Sequence, residues 1–280
     1  MLNAFFVVWR ESLEALLIIG ILLAWLNVHD ADGKGRRALT LGVVAGIGLA
    51  LALGWALLNV QDELTGNALE LFQVGALLLA ALLITQMVFW MQRHGREVKT
   101  HLEGQLAAAR EKRGQWGIAV VAALAIAREG AETVIFLYGL AQGGETAALL
   151  TGALGGFAVA LLTAWAAAKS LARLNLGLLL KCSSFLLLVL ASSLLVAASD
   201  RMIGLDWLPT LIDPVWDTSG LLDHNAGFGR LCADFAGYRA QPALSTLLIW
   251  GGYWLLVLLP WGNLKRRFFW RKGAPPKQAS

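Results

Sequence analysis

The sequence predicts an all-α polytopic membrane protein with seven transmembrane helices, and three observations predict it. Of its 280 residues 58% are hydrophobic and only 15% are charged, whereas soluble domains carry about a quarter charged residues; mean hydropathy is +0.63. The apolar residues fall in seven runs, each about the 20 residues that cross a bilayer. The connections between the runs alternate in charge, every second one being basic, as topology requires when Lys and Arg stay cytoplasmic.

The runs follow in order. The first, 3–26, has neither a basic leader nor a small-residue cleavage site, so it reads as a retained helix and not a signal peptide. Lys34, Arg36 and Arg37 lead into the second, 38–60. A short acidic connection with Asp62 and Glu63 precedes the third, 69–91. The next connection, 92–115, carries Arg93, Arg96, Lys99, Arg110, Lys112 and Arg113 and reads as a solvated helical extension. Spans at 116–140 and 147–168 are joined by a loop whose one charge is Glu145. Lys169 and Arg173 precede the sixth, 177–199. The long segment 200–242 leans acidic, with Asp206, Asp213, Asp217, Asp223 and Asp234. The seventh span, 243–262, ends in "KRRFFWRK". This pattern places the N-terminus outside, 200–242 outside and the C-terminus in the cytoplasm. The expected organisation is one seven-helix domain over 1–265 and a basic cytoplasmic tail over 266–280. The net charge of +4 is thus a topology signal and gives no reason to expect a nucleic-acid partner. Cys182 and Cys232 make no disulfide framework.

The chain repeats itself. "WRESLEALLI" at 9–18 has a counterpart in "AREGAETVIF" at 127–136, so that Arg10, Glu11 and Glu14 map onto Arg128, Glu129 and Glu132. "GVVAGIGLALALGWA" at 42–56 aligns with "GALGGFAVALLTAWA" at 152–166, with Gly42, Gly46, Ala50 and Trp55 falling on Gly152, Gly156, Ala160 and Trp165. Three spans separate the copies, and an odd number reverses direction. The prediction is an inverted 3+3 repeat, 1–91 and 116–199, with a seventh helix appended. In transporters such repeats place the substrate near the midplane and expose it alternately by rocking of the halves. Gly42 with Gly46, and Gly152 with Gly156, form G-x-x-x-G patterns that suit close helix packing.

Six ionisable residues inside two spans need a reason. Each costs roughly 2.5–3.5 kcal/mol at the bilayer centre on the insertion scale, while a Leu or Ile returns only about 0.3–0.6. Glu11 and Glu14 are i and i+3 and share a helix face, as do Glu129 and Glu132. If the two helices meet, four carboxylates converge beside two arginines, and the surplus negative charge suits a cation. Carboxylates are hard donors. The four histidines, His29, His94, His101 and His224, are expected in loops, and Met87 and Met91 lie towards one end of the third span. A hard, highly charged ion such as iron(III) fits better than copper(I). The alternatives are an Arg–Glu network that only locks the repeats together, a permease for another metal such as lead or manganese, an intramembrane carboxylate-dependent enzyme, and a proton-relaying subunit.

The doubled R-E-x-x-E, in the first and fourth of seven helices, resembles the oxidase-dependent iron permease family. The resemblance extends to "VFWMQRH" at 88–94, "RLNLG" at 173–177, "WDTSGLL" at 216–222 and "GYRAQPA" at 237–243, and it covers most of 1–262. It implies a transporter, not an enzyme, that imports iron across the plasma membrane with no permanently bound cofactor, the iron ion being its substrate. Glu11, Glu14, Glu129 and Glu132 would bind the metal, with Arg10 and Arg128 in support. It also implies an extracytoplasmic oxidase or iron-binding partner, a membrane lipid environment and an oligomer as a candidate assembly. Family members often carry "F-E-G" at the start of the third helix. Here "LELFQVG" puts Gln73 in that place and keeps Glu70, so Glu70, Gln73 and Asp217 are the candidates for an external relay.

Overall fold

In the computed structural model, residues 2–30, 33–94, 98–142, 146–169, 176–224 and 227–272 are described. Among them every regular element is a helix: α1 (Leu2–His29), α2 (Lys34–Glu63), α3 (Asn67–His94), α4 (Val98–Arg113), α5 (Gln115–Ala141), α6 (Thr146–Ala168), α7 (Leu176–Gly204), α8 (Gly227–Ala236) and α9 (Leu244–Lys272). The seven apolar runs become the seven long helices. Of these, α2, α3, α6 and α7 contain stretches long and apolar enough to cross a membrane by length and composition. The other three carry charge: α1 and α5 hold the two motifs, and α9 continues beyond its apolar part into the basic end of the chain.

Two helices were not expected as separate elements. The connection 92–115 contains α4, whose Leu102 and Leu106 are both buried, Leu106 against Leu22, Leu26, Leu39 and Ile118. It is clamped there by Arg110, which donates to the His29 carbonyl at 2.5 Å and lies over the Trp25 ring. Within 200–242, α7 runs on to Gly204 and α8 forms a short amphipathic helix. The expectation that all histidines lie in loops is corrected: His29 ends α1, His94 ends α3 and His101 lies within α4. Glu145, Arg96 and Arg173 lie outside the described residues, as do 273–280 of the tail; its first residues extend α9. Cys182 and Cys232 are free thiols.

Packing crosses between the two predicted halves. α2 lies along α5, α1 along α6 and α3 along α7, whereas α1 barely touches α2 and α5 barely touches α6. Glycine makes the crossings close, as expected for small residues at lipid-embedded interfaces. A Cβ on Gly42 would run into the Ala119 carbonyl of α5, and one on Gly156 into the Phe5 carbonyl of α1. The main apolar core joins Val7 of α1, Leu77, Ala80 and Ile84 of α3, Phe136 of α5, Leu187, Leu190 and Leu194 of α7, and Tyr253 of α9. Tyr253 does not leave its hydroxyl orphaned there, since it donates to the Leu188 carbonyl at 3.1 Å.

Candidate metal centre

The two motifs meet where α1 and α5 pass each other. Glu11 lies nine residues into α1 and Glu129 fourteen residues into α5, roughly 14 and 21 Å along at 1.5 Å per residue. Both are therefore well inside their helices. Carboxylate oxygens of Glu11, Glu129 and Glu132 lie within 4.8 Å of one another. That span is about twice the roughly 2.0–2.6 Å that hard cations take to oxygen, so one ion can reach all three.

The arginines stand beside this group and outside it. Arg10 is 1% exposed. It pairs with Glu11 Oε1 at 3.0 Å and Glu14 Oε1 at 2.8 Å; the second contact is an ion pair off the hydrogen-bond line, so Glu14 Oε1 has charge compensation without a hydrogen bond. The same two Arg10 nitrogens also donate to the thioethers of Met87 at 2.8 Å and Met91 at 3.1 Å. In the second copy Arg128 Nε donates to Glu132 Oε1 at 3.0 Å, and its guanidinium lies 4.9 Å from the centre of the Trp90 ring. This arginine is half exposed, at 50% of its side chain. Glu11 Oε2, Glu129 Oε2 and Glu132 Oε2 are buried and accept no hydrogen bond. A buried polar atom without a partner carries its full desolvation cost, and gathering three carboxyl groups within 4.8 Å of one another raises it further. A bound cation removes that cost.

Sequence reading brings all six motif residues to one place, but not equally. Glu14 falls outside the tight group of three and belongs to Arg10. The reading missed Met87, Trp90 and Met91, which line one face of the last turns of α3 at i, i+3 and i+4 and touch both arginines.

The candidate relay residues lie elsewhere. Glu70 lines a cavity of about 820 Å³ formed by the start of α1, the start of α3, the ends of α5 and α7, and α8. Arg201 donates to Gln73 and lies 3.9 Å from Glu70. Asp200, also in the cavity wall, pairs with Arg239 at 2.6 Å and accepts from Thr246 at 3.1 Å. The wall is thus balanced, with Glu70, Asp200 and Asp234 against Arg201, Arg230 and Arg239. Asp217 is not part of it. Its carboxylate accepts from the Ser219 hydroxyl at 2.6 Å, the Ser219 amide at 2.9 Å and Gln241 at 2.8 Å. These bonds, the Ser219 hydroxyl first, hold it below the usual aspartate range.

One turn of apolar packing separates cavity from carboxylates. On α1 the order is Ala4 in the cavity wall, then fully buried Val7, then Glu11; on α5 it is Leu140 in the wall, then fully buried Phe136, then Glu132. The numbers rise away from the cavity on α1 and towards it on α5, so the motif helices run in opposite directions.

The chain is 28% identical over 257 residues to a protein of Escherichia coli O6:H1 named ferrous iron permease EfeU, covering 91% of this chain and 93% of that one. It is 29% identical over 257 residues to a protein of the same name from Yersinia pestis, covering 91% of each. No solved structure matches it. The family model described as iron permease FTR1 family matches residues 1–263, and the chain belongs to that family.

Proposed function

We propose that this chain imports iron by passing it through the carboxylate cluster of Glu11, Glu129 and Glu132, with Glu14 and the two motif arginines balancing charge around it. Family membership and four long apolar helices make the chain a multi-pass membrane protein, and a permease is a transporter and not an enzyme. The observation that carries the site assignment is the convergence of three carboxyl groups from two different helices, each with one buried oxygen that accepts no hydrogen bond. A network built only to lock the helices would spend these oxygens on the arginines.

In this reading residues 1–265 act as one permease with the N-terminus outside and 266–280 as a cytoplasmic tail. Iron enters the cavity from outside, passes the Val7–Phe136 layer when the helices part, and exchanges water for carboxylate oxygens. Because α1 packs on α6 and α2 on α5, the bodies that move are those pairs and not the sequence halves. The all-oxygen donor set is hard and supports iron(III) as the ion held. The relatives are named for ferrous iron, so the oxidation state is an arm of the test. An extracytoplasmic oxidase or iron-binding partner would supply the ion at the cavity mouth.

The test is radioactive iron uptake into proteoliposomes, offered as iron(III) and as iron(II), for the wild type and for Glu129→Gln and Glu132→Gln. Saturable uptake lost in both folded variants supports the site. Unchanged uptake in both returns the glutamates to a structural role, and faster uptake of iron(II) than iron(III) overturns the iron(III) preference.

A further inference from the structure

The two motif arginines are held by one short stretch of α3. Met87, Trp90 and Met91 share a face and contact both guanidinium groups: Met87 accepts from the Arg10 nitrogen that also bonds Glu11, Met91 from the one that also pairs with Glu14, and the indole lies over Arg128.

The chemistry of these contacts is particular. A thioether is a weak, neutral acceptor, and an indole face attracts a cation without carrying charge. Each arginine is thus tethered without a further anion. Carboxylates in these positions would draw the guanidinium groups off Glu14 and Glu132. Aliphatic side chains would leave them free to turn towards Glu129, which has no arginine within ion-pair distance, and to fill the cluster with a tethered cation. Neutral tethers avoid both outcomes and leave the surplus negative charge on the oxygens that face one another.

We infer that Met87, Trp90 and Met91 form a positioning element that parks Arg10 and Arg128 on the Oε1 atoms of Glu11 and Glu132 and keeps them from competing with iron for Glu129 and for the second carboxylate oxygens of Glu11 and Glu132. This rests on the cluster being the iron site. Burial points to Trp90 as the more consequential tether. Exposure falls from Arg128, at 50%, through Glu132, at 14% of its side chain, to Glu11, at 0%, so Arg128 stands at the more open edge of the cluster with the most room to turn.

The experiment measures concentration-dependent iron uptake by the full-length protein in proteoliposomes for Trp90→Leu, Trp90→Phe and the double variant Met87→Leu/Met91→Leu. Trp90→Leu is expected to raise the half-saturating iron concentration about threefold, the range of a cation–π contact at a half-exposed site, with the maximal rate within about twofold. Trp90→Phe keeps an aromatic face and is expected to restore most of the affinity. The methionine double variant is expected to weaken affinity without losing rate. In an Arg128→Gln background, Trp90→Leu should change nothing further. Equal behaviour of the Phe and Leu variants, an unchanged half-saturating concentration in Trp90→Leu, or an added loss in the Arg128→Gln background would overturn the inference. If Trp90→Leu does not fold, the Phe variant and the methionine pair decide alone: wild-type affinity in the methionine pair would overturn it. Glu129→Gln separates the two readings. Normal uptake there removes the site itself, whereas lost uptake with silent α3 variants removes only the positioning element.

Discussion

Gly46 and Gly156 occupy equivalent positions in the two halves and face equivalent backbone atoms. A Cβ on Gly46 would lie 2.8 Å from the Ala123 carbonyl oxygen and 3.0 Å from the Ala127 nitrogen; one on Gly156 would meet the Phe5 carbonyl oxygen and lie 3.0 Å from the Trp9 nitrogen. Ala123 and Ala127 correspond to Phe5 and Trp9 by the same register that pairs the two motifs. Backbone atoms cannot swing aside as a flexible side chain can. Gly156→Ala should therefore destabilise by roughly 1–3 kcal/mol, as overpacking does, and Gly46→Ala by less. Gly48→Ala, with nothing within 4 Å of the added carbon, should be neutral. Thermal unfolding in detergent ranks the three, and equal stability for Gly156→Ala and Gly48→Ala would contradict the close crossing.

The carboxylates should differ in rank. Glu11, Glu129 and Glu132 contribute the converging oxygens, while Glu14 acts through Arg10. Glu14→Gln should weaken iron affinity about tenfold, the lower end for groups that only orient a metal ligand, and Glu129→Gln by more than about 100-fold. Isothermal titration with iron reads both, and a larger loss for Glu14→Gln would reverse the assignment.

Phe136 is fully buried in the layer between cavity and carboxylates. Phe136→Ala should cost about 3–5 kcal/mol of stability and open a path through that layer. The second effect is specific: liposomes holding the variant should leak iron when no gradient drives the wild type. A stable variant that stays tight would show that the seal lies elsewhere.

Asp217 gives a pH dependence to the segment 200–242. Its folded-state pKa lies below the ordinary aspartate value of 3.8 because of Ser219 and Gln241. A depressed carboxylate contributes stability that is complete above its unfolded value and is lost as pH falls through the folded one. Amide exchange at Val215 and Thr218, which bond to Pro242 and Ala240, should quicken below about pH 3.8, and Asp217→Asn should show the quick rate at neutral pH too.

Much of this molecule was legible in its sequence because a bilayer forces apolar residues into countable runs and makes each buried charge conspicuous. The seven long helices, the doubled motif and the glycine rows follow from that. Met87, Trp90 and Met91 were not legible as partners of the arginines, since an apolar residue in an apolar run gives no sign of whether it faces lipid, core or a guanidinium. The ion pairs of Asp200 with Arg239 and of Arg201 with Glu70 join residues far apart in the chain, and only the fold brings them together. Helix α4 was masked by its charge: Leu102 and Leu106 form a narrow stripe in a sequence otherwise rich in Lys, Arg and Glu. The external relay expected around Glu70, Gln73 and Asp217 resolves into two unconnected places, because Asp217 is engaged by its own turn.

The crossing of α2 onto α5 and of α1 onto α6 also bears on how the chain is made. When the first three helices leave the ribosome, the close-packing faces of α1 and α2 have no partner, because both partners are still untranslated. The motif in α1 must wait in the bilayer without Glu129 and Glu132. It does so with Arg10 bonded to two glutamates of its own helix, so a nascent half carries one surplus negative charge and not two bare ones. The ion pair that flanks the finished site thus also lowers the cost of insertion, and the two halves, expressed from separate genes, should accumulate only together.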